Sequence, residues 1–291
     1  MPPTDHQRPA VPFAVATVGI FVFTTMDAVV KAMPAELPTV QVVALRFLFG
    51  IPLVLAAIFW LQPGWPSRAS WVANAPRGVL NVLSTLLFFT ALRRLPFAEA
   101  LALSYLGPLI LAVLAAVMLG ERLRLAVVGP VLLGLGGVGV IAWDSLAAAQ
   151  GVSGDAVGIA AAIGSAFTYA LNNALLRRQA QRDAATSIVL IQHVVPALVA
   201  LPSALAGWSA PAPEVWPVFV VLAAFGVSGH FLLTWAFARA PAGVLAVVDY
   251  LALPYAAAVG FVFFGEVPAA AVWLGAGLIV LACLMVTRRR G

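Results

Sequence analysis

The fold is decided by two stretches, FFTALRRLPFAEALALSYLGPLILAVLAAVMLGE at residues 88–121 and LTWAFARAPAGVLAVVDYLALPYAAAVGFVFFGE at residues 233–266. They align without gaps when the chain is shifted by 145 residues, half of its 291. The weight of the match falls on its Arg-x-Pro, Tyr and Gly-Glu pairs, because apolar helices do not contain these residues by default. The main identities are Ala91/Ala236, Arg94/Arg239, Pro96/Pro241, Tyr105/Tyr250, Leu106/Leu251, Ala112/Ala257, Val117/Val262, Gly120/Gly265 and Glu121/Glu266. The chain therefore contains an internal repeat.

The composition requires a lipid environment. Hydrophobic residues make up 63% of the chain and charged residues only 9%, whereas soluble domains carry about 25% charged residues. A bilayer-spanning helix needs about 20 apolar residues, and ten such stretches fit between Pro12 and Val286. The predicted helices are 11–32, 38–61, 74–93, 97–119, 125–143, 156–177, 186–206, 215–237, 242–264 and 268–287. The remaining connections are too short to form a domain outside the membrane.

The repeat and the helix count together define an architecture. Residues 1–145 and residues 146–291 each contain five predicted spans. Because five is odd, the second half must enter the membrane upside down relative to the first. We therefore predict an all-α membrane protein with ten transmembrane helices in two inverted five-helix repeats. Such halves can exchange shapes, so that a site between them opens alternately to either side, and this favours a transporter.

The positive charges predict the orientation. Twelve of the 16 Lys and Arg residues, Arg77 included, fall on one side of the predicted topology, and three fall on the other. Positively charged loops stay in the cytoplasm, so both termini are expected there. The basic residues are scattered through short loops, which argues against a nucleic-acid partner. The single cysteine, Cys283, excludes an internal disulfide and a cysteine-based metal site.

Two signatures carry a resemblance to a known family. Leu119-Gly120-Glu121-Arg122-Leu123, followed by the glycine-rich run at 134–139, and Phe264-Gly265-Glu266, followed by Trp273-Leu274-Gly275, resemble the EamA-type members of the drug/metabolite transporter superfamily. Within this superfamily the chain looks most like the YddG type of aromatic amino acid exporter. The resemblance implies a bacterial-type inner-membrane protein with ten helices around a central cavity. It also implies that the fifth and tenth helices pack together away from the substrate.

Polar residues deep in the spans are the candidate binding residues. Asp249 lies eight residues after Pro241, about 12 Å into the ninth helix at 1.5 Å per residue, and an ionisable group at that depth is functional by default. Tyr250 follows it, and the repeat places Ser104 and Tyr105 at the equivalent depth. These residues are predicted to bind substrate or a proton, with a helix-packing hydrogen bond as the alternative.

Asp27 and Arg46 form a second candidate pair in the first two helices. An arginine within the membrane seeks a carboxylate, and Asp27 is available. A fixed ion pair that orders the helices and a gate or substrate clamp are both open interpretations.

Neutral groups complete the predicted site. His230, Asn81, Asn172 and Tyr169 add hydrogen-bonding groups at depths where an unpaired polar atom is costly. Trp235 could stack on a substrate ring. His230 and His193 have no acidic or histidine neighbour four residues away, so no metal site is predicted.

We therefore expect a secondary-active exporter of small metabolites, above all amino acids including aromatic ones. A flippase for lipid-linked sugars, or another carrier of the same fold, is the alternative. No nucleotide-binding loop and no metalloprotease or serine-hydrolase motif occurs, so the protein is not expected to be an enzyme or to need a cofactor. Its expected partners are a small-molecule substrate and the lipid bilayer, and a monomer is compatible with the sequence.

Overall fold

A computed structural model describes residues 10–34, 36–61, 64–94, 103–120, 125–148, 155–264 and 270–288. This part of the chain is helical and contains no β-strand. The first half has helices α1 (Ala10–Lys31), α2 (Thr39–Leu61), α3 (Arg68–Arg94), α4 (Leu106–Leu119) and α5 (Leu125–Ala148). The second half has α6 (Ala156–Ala180), α7 (Ala185–Ala206), α8 (Trp216–Arg239), a composite ninth span α9, and α10 (Ala270–Arg288). A short 3₁₀ turn, Pro213–Val215, precedes α8.

The predicted number of spans is confirmed. Seven helices among the described residues are long and apolar enough to cross a bilayer, and three shorter apolar helices accompany them at Leu106–Leu119, Val128–Val140 and Trp273–Ala282. The chain is therefore an all-helical, multi-pass membrane protein. The predicted start of the third helix is wrong, because α3 begins at Arg68 rather than at residue 74. Arg77 consequently lies in the third turn of the helix and not in its first turn at the membrane face, and it is 1% exposed.

The ninth span is not the continuous helix that its sequence predicts. It consists of a short α-helix, Ala242–Leu245, a 3₁₀ segment, Ala246–Leu251, and a second α-helix, Ala252–Phe264. Pro254 explains the change, since it has no N–H for the carbonyl of Tyr250 and its ring would clash with that carbonyl in a regular helix. Asp249 lies in the 3₁₀ segment. Mid-helix 3₁₀ segments often mark functional hinges.

The first half has a matching irregularity. Tyr105 leaves regular helix geometry directly before α4 begins at Leu106, with φ −73° and ψ 3°. Pro108 is the third residue of α4, as Pro254 is the third residue of the last part of α9. Both halves therefore carry a backbone irregularity at the same depth, just before a proline.

The packing of the helices follows the repeat. The most extensive pairs are α5 with α10, α3 with α6, α1 with α8, and α2 with α7. The repeat makes each helix of the first half equivalent to the helix five places later. Exchanging equivalent helices turns the α1–α8 pair into the α3–α6 pair, and it leaves the α2–α7 and α5–α10 pairs unchanged. The same exchange relates α4–α6 to α9–α1, both of which are in contact. The helices thus form a pseudo-twofold arrangement.

The α5–α10 pair is held by close backbone contact, as the glycine-rich run predicts. A Cβ added at Gly137 would lie 2.6 Å from the carbonyl oxygen of Gly275, so only glycine permits this approach. Gly136, Gly139 and Gly277 face open space in the described structure and do not contribute to it.

Candidate functional site

A central cavity of about 570 Å³ lies between the two halves. Its wall is formed by α1, α2, α3 and the start of α4 from the first half, and by α6, α8 and α9 from the second. Nine of the predicted site residues line it, namely Asp27, Arg46, Asn81, Ser104, Tyr105, Tyr169, Asn172, His230 and Asp249. The volume is in the range of small-molecule sites.

The cavity reaches one membrane face. We call the face with the α1–α2, α3–α4, α5–α6, α7–α8 and α9–α10 connections the arginine-poor face, and the opposite face the arginine-rich face. Met33, Pro34 and Thr39, in and beside the α1–α2 connection, line the cavity, and Pro34 is exposed. No described residue of the arginine-rich connections lines it. The cavity therefore opens towards the arginine-poor face.

An alanine-rich cluster closes the other end. It joins the ends of α4, α6 and α8 to the starts of α1 and α9 and includes Ala170, Ala174, Ala236, Ala242 and Ala246, all with no exposed surface. Small side chains let helix backbones approach closely. Arg177 adds a bond across this end by donating from Nη1 to the carbonyl oxygen of Phe237 at 2.6 Å.

Asp249 lies at the cavity wall on the 3₁₀ segment of α9. Its Oδ1 accepts a hydrogen bond of 3.2 Å from the hydroxyl of Tyr169 on α6. The carboxylate is half-buried, and Tyr169 is its only described hydrogen-bond partner. A carboxylate can accept several more hydrogen bonds, so Asp249 can bind an ammonium group or another donor in the cavity.

Asp27 and Arg46 both face the cavity but do not form the predicted direct ion pair. They interact electrostatically, yet no described oxygen–nitrogen contact within 4.0 Å joins them. Arg46 instead donates from Nη1 to the sulfur of Met26 at 3.3 Å, and its guanidinium lies 4.4 Å from the ring centre of Phe47.

Arg77 is a cavity residue that sequence reasoning missed. Its Nε donates to the backbone and side-chain oxygens of Asn172 at 3.3 and 3.2 Å, and its Nη1 donates to Asn74 Oδ1 at 3.0 Å. Asn74 in turn donates to Asp183 Oδ2 at 2.7 Å, and Ser70 donates to Oδ1 at 2.8 Å. The network links the cavity to the α6–α7 connection. The sequence shows an arginine directly after Pro76, and we interpreted it only as one of the positive charges that set the orientation in the membrane.

His230 and Asn81 form a neutral pair at the wall. The ring Nδ1 of His230 lies 2.7 Å from the carbonyl oxygen of Gly226, and a carbonyl can only accept, so Nδ1 carries the proton. Nε2 then accepts from Asn81 Nδ2 at 3.4 Å. His193 packs edge-on against His230 with 5.3 Å between ring centres.

Tyr250 and Trp235 do not line the cavity, contrary to the sequence prediction. Tyr250 has no exposed surface and lies against Gly134 of α5. Trp235 packs beside the alanine-rich cluster, and the guanidinium of Arg239 covers its ring at 4.0 Å. The side chains of both residues therefore point away from the cavity.

The sequence matches the EamA-like transporter family twice, over residues 12–143 and 156–288. The chain belongs to this family. The two matches cover the two halves whose helices pair across the pseudo-twofold arrangement. Family membership makes the protein a small-metabolite transporter and not an enzyme.

Individual relatives cover nearly the whole chain. The pseudopaline exporter CntI of Pseudomonas aeruginosa is 29% identical, over 94% of this chain and 95% of its own. A riboflavin transporter of Rhizobium johnstonii is 27% identical, over 83% of this chain and 77% of its own. A solved crystal structure superposes with a TM-score of 0.80 at 23% identity and covers 96% of this chain and 99% of its own, which supports the fold. The names of the two transporters specify pseudopaline and riboflavin, so they do not specifically support an aromatic amino acid exporter.

Proposed function

We propose that the protein exports amino acids by alternating access through the central cavity. The observation that carries the proposal is the charge of the cavity wall. Its described lining contains two carboxylates, Asp27 and Asp249, and two guanidinium groups, Arg46 and Arg77. A molecule with both an ammonium and a carboxylate group complements such a wall.

The physical reason is the cost of charge inside a membrane protein. An ionised group removed from water is expensive unless it has a partner of opposite charge. Asp249 has one described hydrogen bond and Arg46 contacts a sulfur and an aromatic ring. A bound zwitterion offers each of them a charged partner, whereas an uncharged ligand would not.

The proposed cycle uses the two inverted halves, residues 1–145 and 146–291. The cavity is open towards the arginine-poor face and closed by the alanine-rich cluster at the other. Exchange of the two halves' conformations would open the opposite end. The positive charges place the arginine-rich face, and with it both termini, in the cytoplasm. The cavity is then open to the outside, which is the state expected of an inner-membrane exporter after substrate release. A substrate or proton gradient would drive the cycle.

Counterflow in proteoliposomes tests this function. Vesicles with purified protein are loaded with one of the twenty amino acids, and entry of the same labelled amino acid is followed over a range of concentrations. We expect saturable exchange for at least one amino acid, and none in vesicles without protein.

Riboflavin and pseudopaline, which the relatives' names specify, serve as competing probes. Exchange of either one with no exchange of any amino acid would contradict the proposal. Movement of a lipid-linked sugar between leaflets would instead support the flippase alternative.

A further inference from the structure

We infer that Asp27 and Arg46 together form a headgroup subsite that binds the ammonium and carboxylate groups of one substrate molecule. The inference rests on the proposed function and assigns the two charges of the zwitterion to particular residues.

Arg46 is a buried cation without an anion in direct contact within the described structure. Only 5% of its surface is exposed, and its Nε has no hydrogen-bond partner within the described structure. A methionine sulfur is a weak acceptor, and an aromatic ring offers only a weak attraction to a cation. Buried arginines are normally paired with a carboxylate, so an anion is missing at this position.

The guanidinium is nevertheless held in place. Phe47, with no exposed surface, lies below it, and the ring of His193 packs against Phe47 with 5.7 Å between ring centres. A Cβ added at Gly50 would lie 2.3 Å from the His193 ring, so α2 and α7 are in close contact here. A donor fixed before the ligand arrives loses little entropy on binding.

Asp27 supplies an opposite charge that faces the same cavity without contacting Arg46 directly. It lies on α1, is half-buried at the cavity wall, and interacts electrostatically with Arg46 without direct contact. An α-amino acid carries its ammonium and carboxylate groups on one carbon atom, so it can place one group against each residue. A direct Asp27–Arg46 salt bridge would leave no such site.

Asp249 is a separate carboxylate with its own hydrogen bond to Tyr169. With the headgroup bound by Asp27 and Arg46, Asp249 remains available for a donor on the rest of the substrate. The cavity volume, about 570 Å³, leaves room for that part of the molecule.

The test combines variants with analogues of one ligand. The labelled probe is L-phenylalanine, or whichever of the twenty amino acids gives the largest counterflow. Its competitors lack one charged group each, and for phenylalanine they are phenethylamine, without the carboxylate, and 3-phenylpropionate, without the ammonium. We expect each analogue to compete about 10- to 100-fold less well than the amino acid in the wild type, since each loses one charge-assisted hydrogen-bonding group.

The variants then remove the matching protein group. In Arg46→Gln the analogue without a carboxylate should compete as well as the amino acid does. In Asp27→Asn the analogue without an ammonium group should compete as well as the amino acid does. Arg46→Lys should keep part of the carboxylate preference, because it keeps the charge but loses the fork of donors. The control is Arg94→Gln, which changes an arginine that is 49% exposed and paired with Asp155 outside the cavity, and its competition profile should equal that of the wild type.

Thermal unfolding in detergent separates binding from a structural role. Arg46→Gln should leave the melting temperature unchanged or raise it, since it removes a buried cation that contacts no anion directly. A lower melting temperature together with lost exchange would assign Arg46 a structural role and overturn the inference. Normal exchange with the carboxylate preference intact in Arg46→Gln would overturn it while leaving the proposed function standing. If the wild type exchanges no amino acid, the proposed function itself fails.

Discussion

Tyr105 and Tyr250 occupy the same position in the two halves, yet the structure treats them differently. Tyr105 lines the central cavity, whereas Tyr250 has no exposed surface and its hydroxyl has no hydrogen-bond partner within the described structure. Their rings are neighbours, with 6.0 Å between centres. The two copies of one motif therefore do different things, even though they lie at similar depth.

The neighbouring helices explain the difference. Gly134 leaves space for the Tyr250 ring, because a Cβ at that position would lie 2.3 Å from the ring. The position equivalent to Gly134 in the second half holds Ile279, a fully buried residue of the same cluster. The second half therefore has a side chain at the position where the first half leaves room for a tyrosine ring. The repeat thus supplies a common scaffold, and single differences between its copies determine which residues face the cavity.

The neighbouring residues sharpen the comparison. Ser104 and Asp249 are also equivalent, and both line the cavity, but only Asp249 can carry a charge. The second half therefore contributes an acidic group where the first half contributes a hydroxyl, and the cavity is chemically asymmetric within a symmetric arrangement of helices.

The largest expected effect comes from Asp249→Asn. We expect transport to fall about 10- to 100-fold, because the amide cannot replace the charged acceptor of a substrate donor. Ser104→Ala, at the equivalent position, should cost only about 2- to 10-fold, since a neutral group is lost. Initial rates of counterflow provide the measurement, and equal melting temperatures show that both variants fold. Asp249→Asn with wild-type rates would remove Asp249 from the site.

The second effect concerns stability. Gly134→Val should destabilise the protein by about 1–3 kcal/mol, as overpacking does, because the new side chain collides with Tyr250. Gly136→Val is the matched control, since a Cβ there meets nothing within 4 Å. Thermal unfolding in detergent compares the two variants. Equal melting temperatures of the two variants would contradict the view that the missing side chain at Gly134 makes room for the Tyr250 ring.

A smaller effect separates the two tyrosines directly. Tyr105→Phe should reduce transport about 2- to 10-fold, because it removes a hydroxyl group from the cavity wall. Tyr250→Phe should leave transport unchanged and keep or raise the melting temperature, because it removes a buried hydroxyl without a partner. Counterflow rates and unfolding curves of both variants provide the measurement. A transport defect in Tyr250→Phe alone would reverse our comparison of the halves.

The smallest effect lies at the start of the second half. Asp155 accepts a hydrogen bond of 2.9 Å from the backbone N–H of Gly158 and pairs with Arg94 at 3.1 Å, and these contacts lower the pKa of Asp155. The equivalent residue in the first half is Ala10, which cannot cap a helix. Asp155→Ala should lower the melting temperature slightly without affecting transport.

The pH dependence of this effect has a definite sign. Because the pKa of Asp155 is lowered in the folded protein, its contribution to stability is present at neutral pH. It is lost as the pH falls through that lowered pKa. Melting temperatures of the wild type and Asp155→Ala should converge in acid, and a difference that grows in acid would contradict the capping role.

Much of the fold follows from local sequence. The ten apolar stretches are found as helices because lipid requires every backbone polar group to bond within its own segment. Arg77 shows the limit of this reasoning. We counted it among the topology charges of one membrane face, but a helix that starts at Arg68 carries it inwards to Asn172 and Asn74. Without it the charge bias is eleven to three, so one misplaced arginine does not alter the predicted orientation.

The 3₁₀ segment around Asp249 illustrates a signal that was present but not used. Pro254 and Pro108 follow the two irregular turns at matching places, and a proline removes a backbone donor for the preceding turn. The periodicity of apolar residues carries no such information, because alanine, valine and leucine fit a 3₁₀ turn and an α-helix alike. The sequence pattern therefore predicts the span but not its internal geometry.

The sequence alone determined the spans, the repeat and the family resemblance, because these depend on residue type and on position along the chain. Only the tertiary structure decided which helix face meets the cavity, that Tyr250 and Trp235 turn away from it, and that Asp27 and Arg46 stay apart. Those outcomes depend on what the neighbouring helices place opposite each side chain. Gly134 admits the ring of Tyr250, whereas the equivalent position in the second half holds the side chain of Ile279.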